Sequence, residues 1–166
     1  MMISDMRKLA LQQLSYYQNN NPGTCFDDLD FILDMNSAYE LQDTVTDLRV
    51  TEGEDIIGYK VGCTGSGTTG QFGMQGPIRG TLFGSELLRN ESELDFNLLT
   101  NLSIEGEMAA TIGANGEITS AFPVIELHNF VFRAPIKTLP ELIANNGFNS
   151  GVVSVSYTHM TQQTNR

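Results

Sequence analysis

The hydrophobic period of this chain changes at Ile56, and that change limits the possible fold more than any other feature. Before Ile56, apolar residues such as Met6 and Leu9 recur at helical spacing. From Ile56 to Cys63 the chain alternates as a β-strand does. Further alternating segments lie on either side of Asn115-Gly116, a dipeptide typical of a tight hairpin turn. This order predicts an α+β fold, with helices first and strands after them.

The helical part contains two predicted helices. The first runs from Ser4 through Tyr17, and the second begins with Asn36 as its N-cap and stops at Gly53. A capping box at Thr138–Glu141 predicts one further, short helix. The 166 residues suffice for one domain with a hydrophobic core. We therefore expect a helical N-terminal region over residues 1–55 and a β-region over residues 56–153.

Composition excludes several classes of function. The formal net charge is −11, whereas binding to nucleic acid or to an anionic membrane needs basic patches. No segment approaches the roughly 18 apolar residues of a membrane span. The N-terminus also lacks the apolar segment of a signal peptide. We expect a cytoplasmic protein in which Cys25 and Cys63 are free thiols.

Glu105 and Glu107 are the leading candidates for a metal site. In an extended segment residues i and i+2 face the same side, so the two carboxylates point together while Gly106 faces away. The resulting repulsion is relieved by a shared cation, a shared proton or water. Glu126 lies in the segment that returns after the hairpin turn, where strand pairing can bring it to the same place. Three carboxylates suit Mg²⁺ or Mn²⁺, and the alternative is the wet face of an amphipathic strand.

Lys60 and His128 are further candidates. Lys60 lies on a strand face between Gly58 and Gly62, and glycine inside a strand often marks close approach by a ligand or a backbone. It is either held over a site or is a surface lysine on an edge strand. His128 shares a strand face with Glu126, as a further ligand, a proton carrier or a partly buried structural residue.

The glycine-rich segment Thr64–Gly70 is predicted to be a loop. It lacks the Gly-Lys-Ser/Thr ending of a phosphate-binding loop, which excludes nucleotide binding by that mechanism. Arg79, which follows the turn at Gly76-Pro77, is either the partner of a substrate carboxylate or a solvated surface residue.

Seven short segments, taken together and in this order, form a specific pattern although each alone is weak. They are Gly58-Tyr59-Lys60-Val61-Gly62, Gln71-Phe72-Gly73, Pro77, Gly80-Thr81-Leu82-Phe83, Ile104-Glu105-Gly106-Glu107, Pro123-Val124-Ile125-Glu126-Leu127 and Ala144-Asn145-Asn146. This pattern resembles the 2-keto-4-pentenoate hydratase family, which belongs to the fumarylacetoacetate hydrolase superfamily and includes 4-oxalocrotonate decarboxylases.

The resemblance implies a mixed β-sheet or roll of the fumarylacetoacetase-like type behind an N-terminal helical region. Residues 56–153 would then form the first part of the catalytic domain. The resemblance also implies a divalent metal, Mg²⁺ or Mn²⁺, bound by Glu105, Glu107 and Glu126.

The same resemblance gives roles to residues around the metal. It implies that Lys60 is the catalytic residue at the substrate. We expect substrate binding by Arg79, Asn145 and Ser150.

The implied activity is metal-dependent addition of water to a 2-hydroxy-2,4-dienoate, a 2-keto-4-pentenoate-like acid of aromatic-compound catabolism. Decarboxylation of a 2-oxo acid is the alternative, and hydrolysis of a carbon–carbon bond in an acylpyruvate is a third. A binding or subunit-interaction module without catalytic activity is compatible with the same residues. We expect a small-molecule acid as the partner and, for a longer parent protein, a homo-oligomer.

The chain departs from the family pattern in several places. The segment between Glu107 and Glu126 is shorter than usual, and Ile78 stands where many members carry an acidic residue. Family members also continue with further β-strands beyond the segment that matches Asn145–Val153, so we expect a C-terminally truncated sheet. The residues from about Ser154 to Arg166 resemble a translated sequencing adapter. We therefore expect a non-native tail over residues 154–166 and a longer genuine protein.

Overall fold

The computed structural model describes residues 3–19, 31–74, 76–129 and 138–155. Within these ranges, α-helices lie at Ile3–Gln18 (α1), Met35–Thr51 (α2), Ser66–Phe72 (α3) and Leu139–Ala144 (α4). The strands are Ile56–Gly62 (β1), Ile78–Phe83 (β2), Leu87–Leu88 (β3), Leu102–Ile112 (β4), Ile118–Asn129 (β5) and Asn149–Ser154 (β6). The predictions about Cys25 and about residues 156–166 concern parts of the chain outside the described residues.

Helices α1, α2 and α4 enclose the main hydrophobic core. Apolar residues recur on one face of each helix, which is why these segments form helices that pack together. The buried members of this cluster are Met6, Ala10, Leu14, Leu33, Ala38, Leu41, Leu48, Ile78, Ile143 and Ala144. None of the helices in the described ranges is long and apolar enough to cross a membrane.

The helix boundaries require two corrections to the sequence predictions. The cap of α2 is Asp34 rather than Asn36, because the Asp34 carboxylate accepts a hydrogen bond of 2.7 Å from the backbone N–H of Ser37. Residues 66–70, predicted to be a loop, belong to α3. The hydroxyl of Thr69 donates to the carbonyl of Gly65, and Gly73 ends the helix in the left-handed conformation with φ 61°.

The strands form two sheets. β1 and β2 pair antiparallel, and a second sheet has the order β3-β6-β5-β4. In the second sheet β3 runs parallel to β6, while the other pairs are antiparallel. The predicted mixed β-sheet behind N-terminal helices is therefore confirmed, and so is the hairpin at Asn115-Gly116.

Strand β1 turns its polar face inward. Tyr59 and Val61 are 63% and 64% exposed, whereas the Lys60 side chain between them is only 10% exposed. Lys60 pairs with Gly80 in the register of β1 and β2, and these two residues face the second sheet and the turn after α4. Of the two alternatives left open by the sequence, a surface lysine is therefore excluded.

Candidate active site

One face of the β4–β5 hairpin carries a group of ionisable side chains. Glu105 lies directly opposite Glu126, and Ser103 lies opposite His128. Because cross-strand partners point to the same side of a sheet, Glu105, Glu126 and His128 share this face. Gly116 holds the hairpin turn with φ 83°, a conformation that glycine adopts without strain. The turn and the strand register together place Glu126 beside Glu105.

The three side chains approach one another closely. The Nδ1 atom of His128 lies 3.8 Å from Oε1 of Glu105, and its Nε2 atom lies 3.4 Å from Oε1 of Glu126. One ligand atom from each residue lies within 4.8 Å of the others. Glu126 is buried and Glu105 is exposed, so the group opens to solvent on one side.

Lys60 extends from the first sheet into this group. Its Nζ atom forms an ion pair with Oε1 of Glu126, lies 3.1 Å from Nε2 of His128, and donates to the carbonyl oxygen of Gly147 at 3.1 Å. The Lys60 ammonium therefore lies between the Glu126 carboxylate, the Gly147 carbonyl and the His128 ring. Residues that are far apart in the sequence thus meet at one positive charge.

The turn that supplies the Gly147 carbonyl has an unusual backbone. Asn146, Gly147 and Phe148 all have positive φ angles, of 55°, 60° and 60°. The Asn146 side chain fixes the turn against the edge of β2, since its Oδ1 accepts from the Thr81 N–H at 2.6 Å and its Nδ2 donates to the Thr81 carbonyl at 2.8 Å. This pair of hydrogen bonds aims the Gly147 carbonyl at Lys60.

Gly80 makes the close approach between β2 and this turn possible. A Cβ atom at this position would lie 2.7 Å from the backbone oxygen of Asn146 and 2.8 Å from Cγ of Lys60. Both distances are shorter than van der Waals contact allows, and the first involves backbone that cannot rotate away. The absence of a side chain at residue 80 is therefore a condition for the geometry around Lys60.

The surroundings shift the pKa of two groups in the site. Burial tends to raise the pKa of Glu126, but the hydrogen bond from His128 and the positive charge of Lys60 outweigh it and leave the pKa below its ordinary value. Burial raises the pKa of the Cys63 thiol, and the Lys60 charge only partly opposes this effect. Glu126 is therefore a carboxylate at neutral pH, whereas Cys63 is a thiol.

The donor set fits a divalent cation. Oε1 of Glu126 is buried and lies against Nζ of Lys60, so positive charge is favoured at this oxygen. Two carboxylates and an imidazole are ligands that divalent metals accept. The residues therefore fit the metal that the family resemblance implies.

Glu107 lies on the same face as Glu105 but outside the close group. It pairs with Val124 in the hairpin register, and its side chain is exposed. The ligand atoms that lie within 4.8 Å of one another belong to Glu105, Glu126 and His128. The structure thus brings together Glu105 and Glu126, which are two of the three predicted carboxylates. The third member of this close group is His128.

Arg79 is not brought to the group. Its neighbour Gly80 shares the Lys60 face, so Arg79 points to the opposite side of β2, towards α2. There its guanidinium binds the Asp43 carboxylate at 2.7 and 2.8 Å and donates to Oε1 of Gln42 at 2.8 Å. The predicted role in substrate binding stays a prediction, and the described contacts give Arg79 a role in packing.

Asn145 and Ser150 also lie apart from the group. Asn145 is fully buried, with the Tyr17 hydroxyl donating to its carbonyl at 3.0 Å and its own Nδ2 donating to the Glu141 carbonyl at 2.8 Å. These bonds join α1 to the end of α4. Ser150 lines a different cavity of about 210 Å³, beside Arg49. Their predicted contacts with a substrate stay predictions.

Two residues that the structure places around Lys60, Asn146 and Gly147, were not among the predicted site residues, although the Asn-Gly pair signals a left-handed turn. His128 was a candidate without a decided role, and its position two residues after Glu126 is the signal that it shares the same face.

Comparison with known proteins gives a sequence relative. No protein-family model matches the chain. A 2-keto-4-pentenoate hydratase from Burkholderia vietnamiensis (strain G4) is 32% identical over 79 residues, which make up 48% of this chain and 30% of that protein. The matched part is thus a minor part of the relative's length.

Solved structures give a more extensive match. A 4-oxalocrotonate decarboxylase from Pseudomonas putida G7, complexed with magnesium and adipate, has a TM-score of 0.82 at 19% identity, over 93% of this chain and 64% of that chain. The same enzyme complexed with calcium and acetate gives 0.79 at 20% identity, over 93% and 63%. This chain spans less than two thirds of both structures. The structural match confirms the predicted fold, and the sequence match confirms a resemblance of part of the chain to a 2-keto-4-pentenoate hydratase.

Proposed function

We propose that this chain carries the metal and substrate site of a lyase that adds water to a 2-hydroxy-2,4-dienoate in the breakdown of aromatic compounds. The observation that supports it most is the ion pair between Lys60 of the first sheet and Glu126 of the second sheet, where Glu105 is the cross-strand partner of Glu126. The sequence relative is named a 2-keto-4-pentenoate hydratase, an enzyme of this reaction class.

The proposed ligands of a divalent cation, Mg²⁺ or Mn²⁺, are Glu105 and Glu126, with Glu107 as the further carboxylate on the same strand face. The cation would polarise a substrate oxygen and stabilise the negative charge that develops on it. Glu126 is held as a carboxylate by Lys60 and by His128, so it is ready to bind a cation without first losing a proton. The exposed side of Glu105 leaves the group open to a small acid.

Lys60 is the proposed catalytic residue. The Gly147 carbonyl and the turn fixed by Asn146 hold its Nζ atom at the group. In the hydration reaction a hydroxyl group adds to one carbon of the conjugated double bond and a proton adds to its neighbour. We assign to Nζ of Lys60 the holding and transfer of that proton, directly or through a water molecule.

Decarboxylation of a 2-oxo acid is the second candidate. The likeness to 4-oxalocrotonate decarboxylase, with a TM-score of 0.82, favours it. The same arrangement of charges suits either outcome, because both reactions develop negative charge on an oxygen next to a carboxylate. Hydrolysis of an acylpyruvate is the third candidate of the same superfamily.

Product analysis tests the proposed function. The chain is incubated with 2-hydroxypenta-2,4-dienoate or with 4-oxalocrotonate, with Mg²⁺, with Mn²⁺ or with a chelator, in water enriched in ¹⁸O. The hydratase predicts a metal-dependent product that carries one ¹⁸O at the new hydroxyl group, whereas the decarboxylase predicts release of carbon dioxide. Binding of metal and acid without turnover would indicate a binding module, and turnover that persists in the chelator would contradict the proposal.

A further inference from the structure

We propose that Asn115 is a site of spontaneous chemical modification, at which the side-chain amide is converted to a carboxylate, and that the fold protects Asn146 from the same reaction. An asparagine followed by glycine is the pair most prone to this reaction, because glycine has no side chain to shield the next backbone nitrogen. The sequence has two such pairs, Asn115-Gly116 and Asn146-Gly147. They place the same chemistry in two different environments of one molecule. The inference does not depend on the proposed metal site.

The reaction begins when the backbone nitrogen of Gly116 loses its proton and attacks Cγ of Asn115. A bond forms between these two atoms and closes a succinimide ring, the bond from Cγ to Nδ2 breaks, and Nδ2 leaves as ammonia. Water then opens the ring at either carbonyl carbon. One opening gives aspartate, and the other gives isoaspartate, in which the main chain runs through Cβ and Cγ of the residue. The reaction consumes water and releases ammonia, with no oxidation or reduction.

The surroundings of Asn115 leave this reaction open. Asn115 and Gly116 are exposed at the tip of the β4–β5 hairpin. The backbone N–H of Asn115 donates to the Glu117 carboxylate at 3.1 Å, but its side-chain amide forms no hydrogen bond with the described residues. Nothing lies within 4 Å of a Cβ placed on Gly116, so its nitrogen is not crowded. Its N–H donates to the Gly113 carbonyl at 2.9 Å, and a single bond in an exposed turn opens readily.

The surroundings of Asn146 oppose the same reaction. Its Oδ1 accepts from the Thr81 N–H at 2.6 Å, and its Nδ2 donates to the Thr81 carbonyl at 2.8 Å. Ring closure makes Cγ tetrahedral and expels Nδ2, so both hydrogen bonds must be given up. Gly147, which carries the attacking nitrogen, is buried. The loss of two hydrogen bonds slows the reaction by roughly tenfold or more.

The modification changes both the charge and the backbone of the hairpin tip. The new carboxylate lies next to Glu117, whose own carboxylate accepts from the Asn115 N–H. Isoaspartate also adds one carbon atom to the main chain inside the turn, which a bond of 2.8 Å from the Gly113 N–H to the Glu117 carbonyl closes. The reaction at Asn115 therefore acts on the turn from which strands β4 and β5 extend.

Peptide mapping by mass spectrometry of the full chain, incubated in mildly alkaline buffer, tests the proposal. Trypsin cuts after Arg89, Arg133 and Lys137, so the two Asn-Gly pairs fall on different peptides. We expect the mass increase of an amide-to-acid change to accumulate at Asn115, and roughly tenfold or more slowly at Asn146. Equal rates at the two residues, a faster rate at Asn146, or no conversion at Asn115 would overturn the proposal.

The same incubation in urea, which unfolds the chain, is the matched control. There the two rates should become similar, because the contacts of Asn146 with Thr81 are absent. A difference that persists undiminished in urea would assign it to the neighbouring sequence and overturn the protection by the fold. Asn115→Gln is a second control, because glutamine would have to close a larger, less favourable ring. The acidic form that anion exchange separates from the aged wild-type chain should be absent from this variant, and its equal accumulation there would contradict the proposal.

Discussion

Glu105 and Glu126 face each other across the β4–β5 hairpin as direct cross-strand partners. Like charges placed directly opposite in a sheet are destabilising, so this pair needs a compensating positive charge. In the described structure Lys60 provides it to Glu126 through an ion pair. The hairpin brings two acids together and a lysine from another sheet reaches one of them, and this is the arrangement from which we propose a cation site.

Glu105→Gln and Glu126→Gln should have opposite effects on the free energy of unfolding when no metal is present. Glu105→Gln removes repulsion and leaves the Lys60 pair intact, so it should change the free energy of unfolding by only about 0.2–1 kcal/mol, towards greater stability. Glu126→Gln leaves the nearly buried Lys60 ammonium without its partner and should destabilise by about 3 kcal/mol. Urea unfolding in a chelator measures both, and equal effects would contradict the assigned geometry.

Removing the charge of Lys60 should separate catalysis from metal binding. In Lys60→Met no ammonium competes for Glu126 and His128, so we expect tighter binding of Mn²⁺ together with loss of turnover. Calorimetry and the product assay measure the two effects on the same protein. Weaker Mn²⁺ binding in this variant would show that Lys60 supports the metal site rather than competing with the cation.

Gly80→Ala should disrupt the packing of β2 against Lys60 and the turn at Asn146. The added Cβ would meet the Asn146 backbone oxygen at 2.7 Å, and overpacking of this kind costs about 1–3 kcal/mol. Gly106→Ala is the matched control in another strand, because nothing lies within 4 Å of a Cβ placed there. Thermal unfolding should show a lower Tm for Gly80→Ala alone. A Tm equal to that of the control would contradict the close approach.

The relative stability of two variants at Asn146 tests the left-handed backbone of this turn. Asn146→Ala and Asn146→Gly both remove the two hydrogen bonds to Thr81, which contribute about 1–3 kcal/mol together. Alanine at φ 55° carries a further penalty of about 1 kcal/mol that glycine does not. Asn146→Gly should therefore be the more stable variant in urea unfolding. The reverse order would exclude a left-handed backbone at this residue.

The acids around Arg49 should give opposite pH dependences of stability. Arg49 holds the pKa of Glu54 below its ordinary value of 4.5, so the stabilisation by Glu54 is present above that pH and is lost as the pH falls through the lowered pKa. Burial raises the pKa of Glu86 above 4.5, so its contribution declines as the pH rises through the raised pKa. Unfolding of Glu54→Gln and Glu86→Gln across this pH range measures both slopes. Slopes of the same sign would contradict these environments.

The hairpin and its pair of acids could be predicted from local signals. Asn115-Gly116 signals a turn, and the two-residue period of a strand predicts that Glu105 and Glu107 share one face. The register that places Glu105 opposite Glu126 also depends on an irregularity between Thr111 and Ile112, which the sequence did not predict. The capping box at Thr138–Glu141 is equally local, and the helix begins where it predicts.

The surroundings of Lys60 could not be predicted in the same way. Alternation in β1 separates two faces but does not say which is buried, and here Tyr59 and Val61 are outside while Lys60 is inside. The contacts of Lys60 with His128 and Gly147 span 68 and 87 residues of sequence. Such contacts depend on how the two sheets meet, and no local pattern encodes that arrangement.

Thermal unfolding of the chain with Mg²⁺ or Mn²⁺, with and without a 2-oxo acid such as 2-oxopentanoate, tests the central claim most directly. A site built from Glu105 and Glu126 predicts that metal raises the Tm of the wild-type chain and that the acid raises it further only when metal is present. In Glu105→Gln, which retains the Lys60 ion pair, the metal-dependent rise should be lost. A wild-type Tm that neither metal nor acid changes, or an equal rise in Glu105→Gln, would contradict the account.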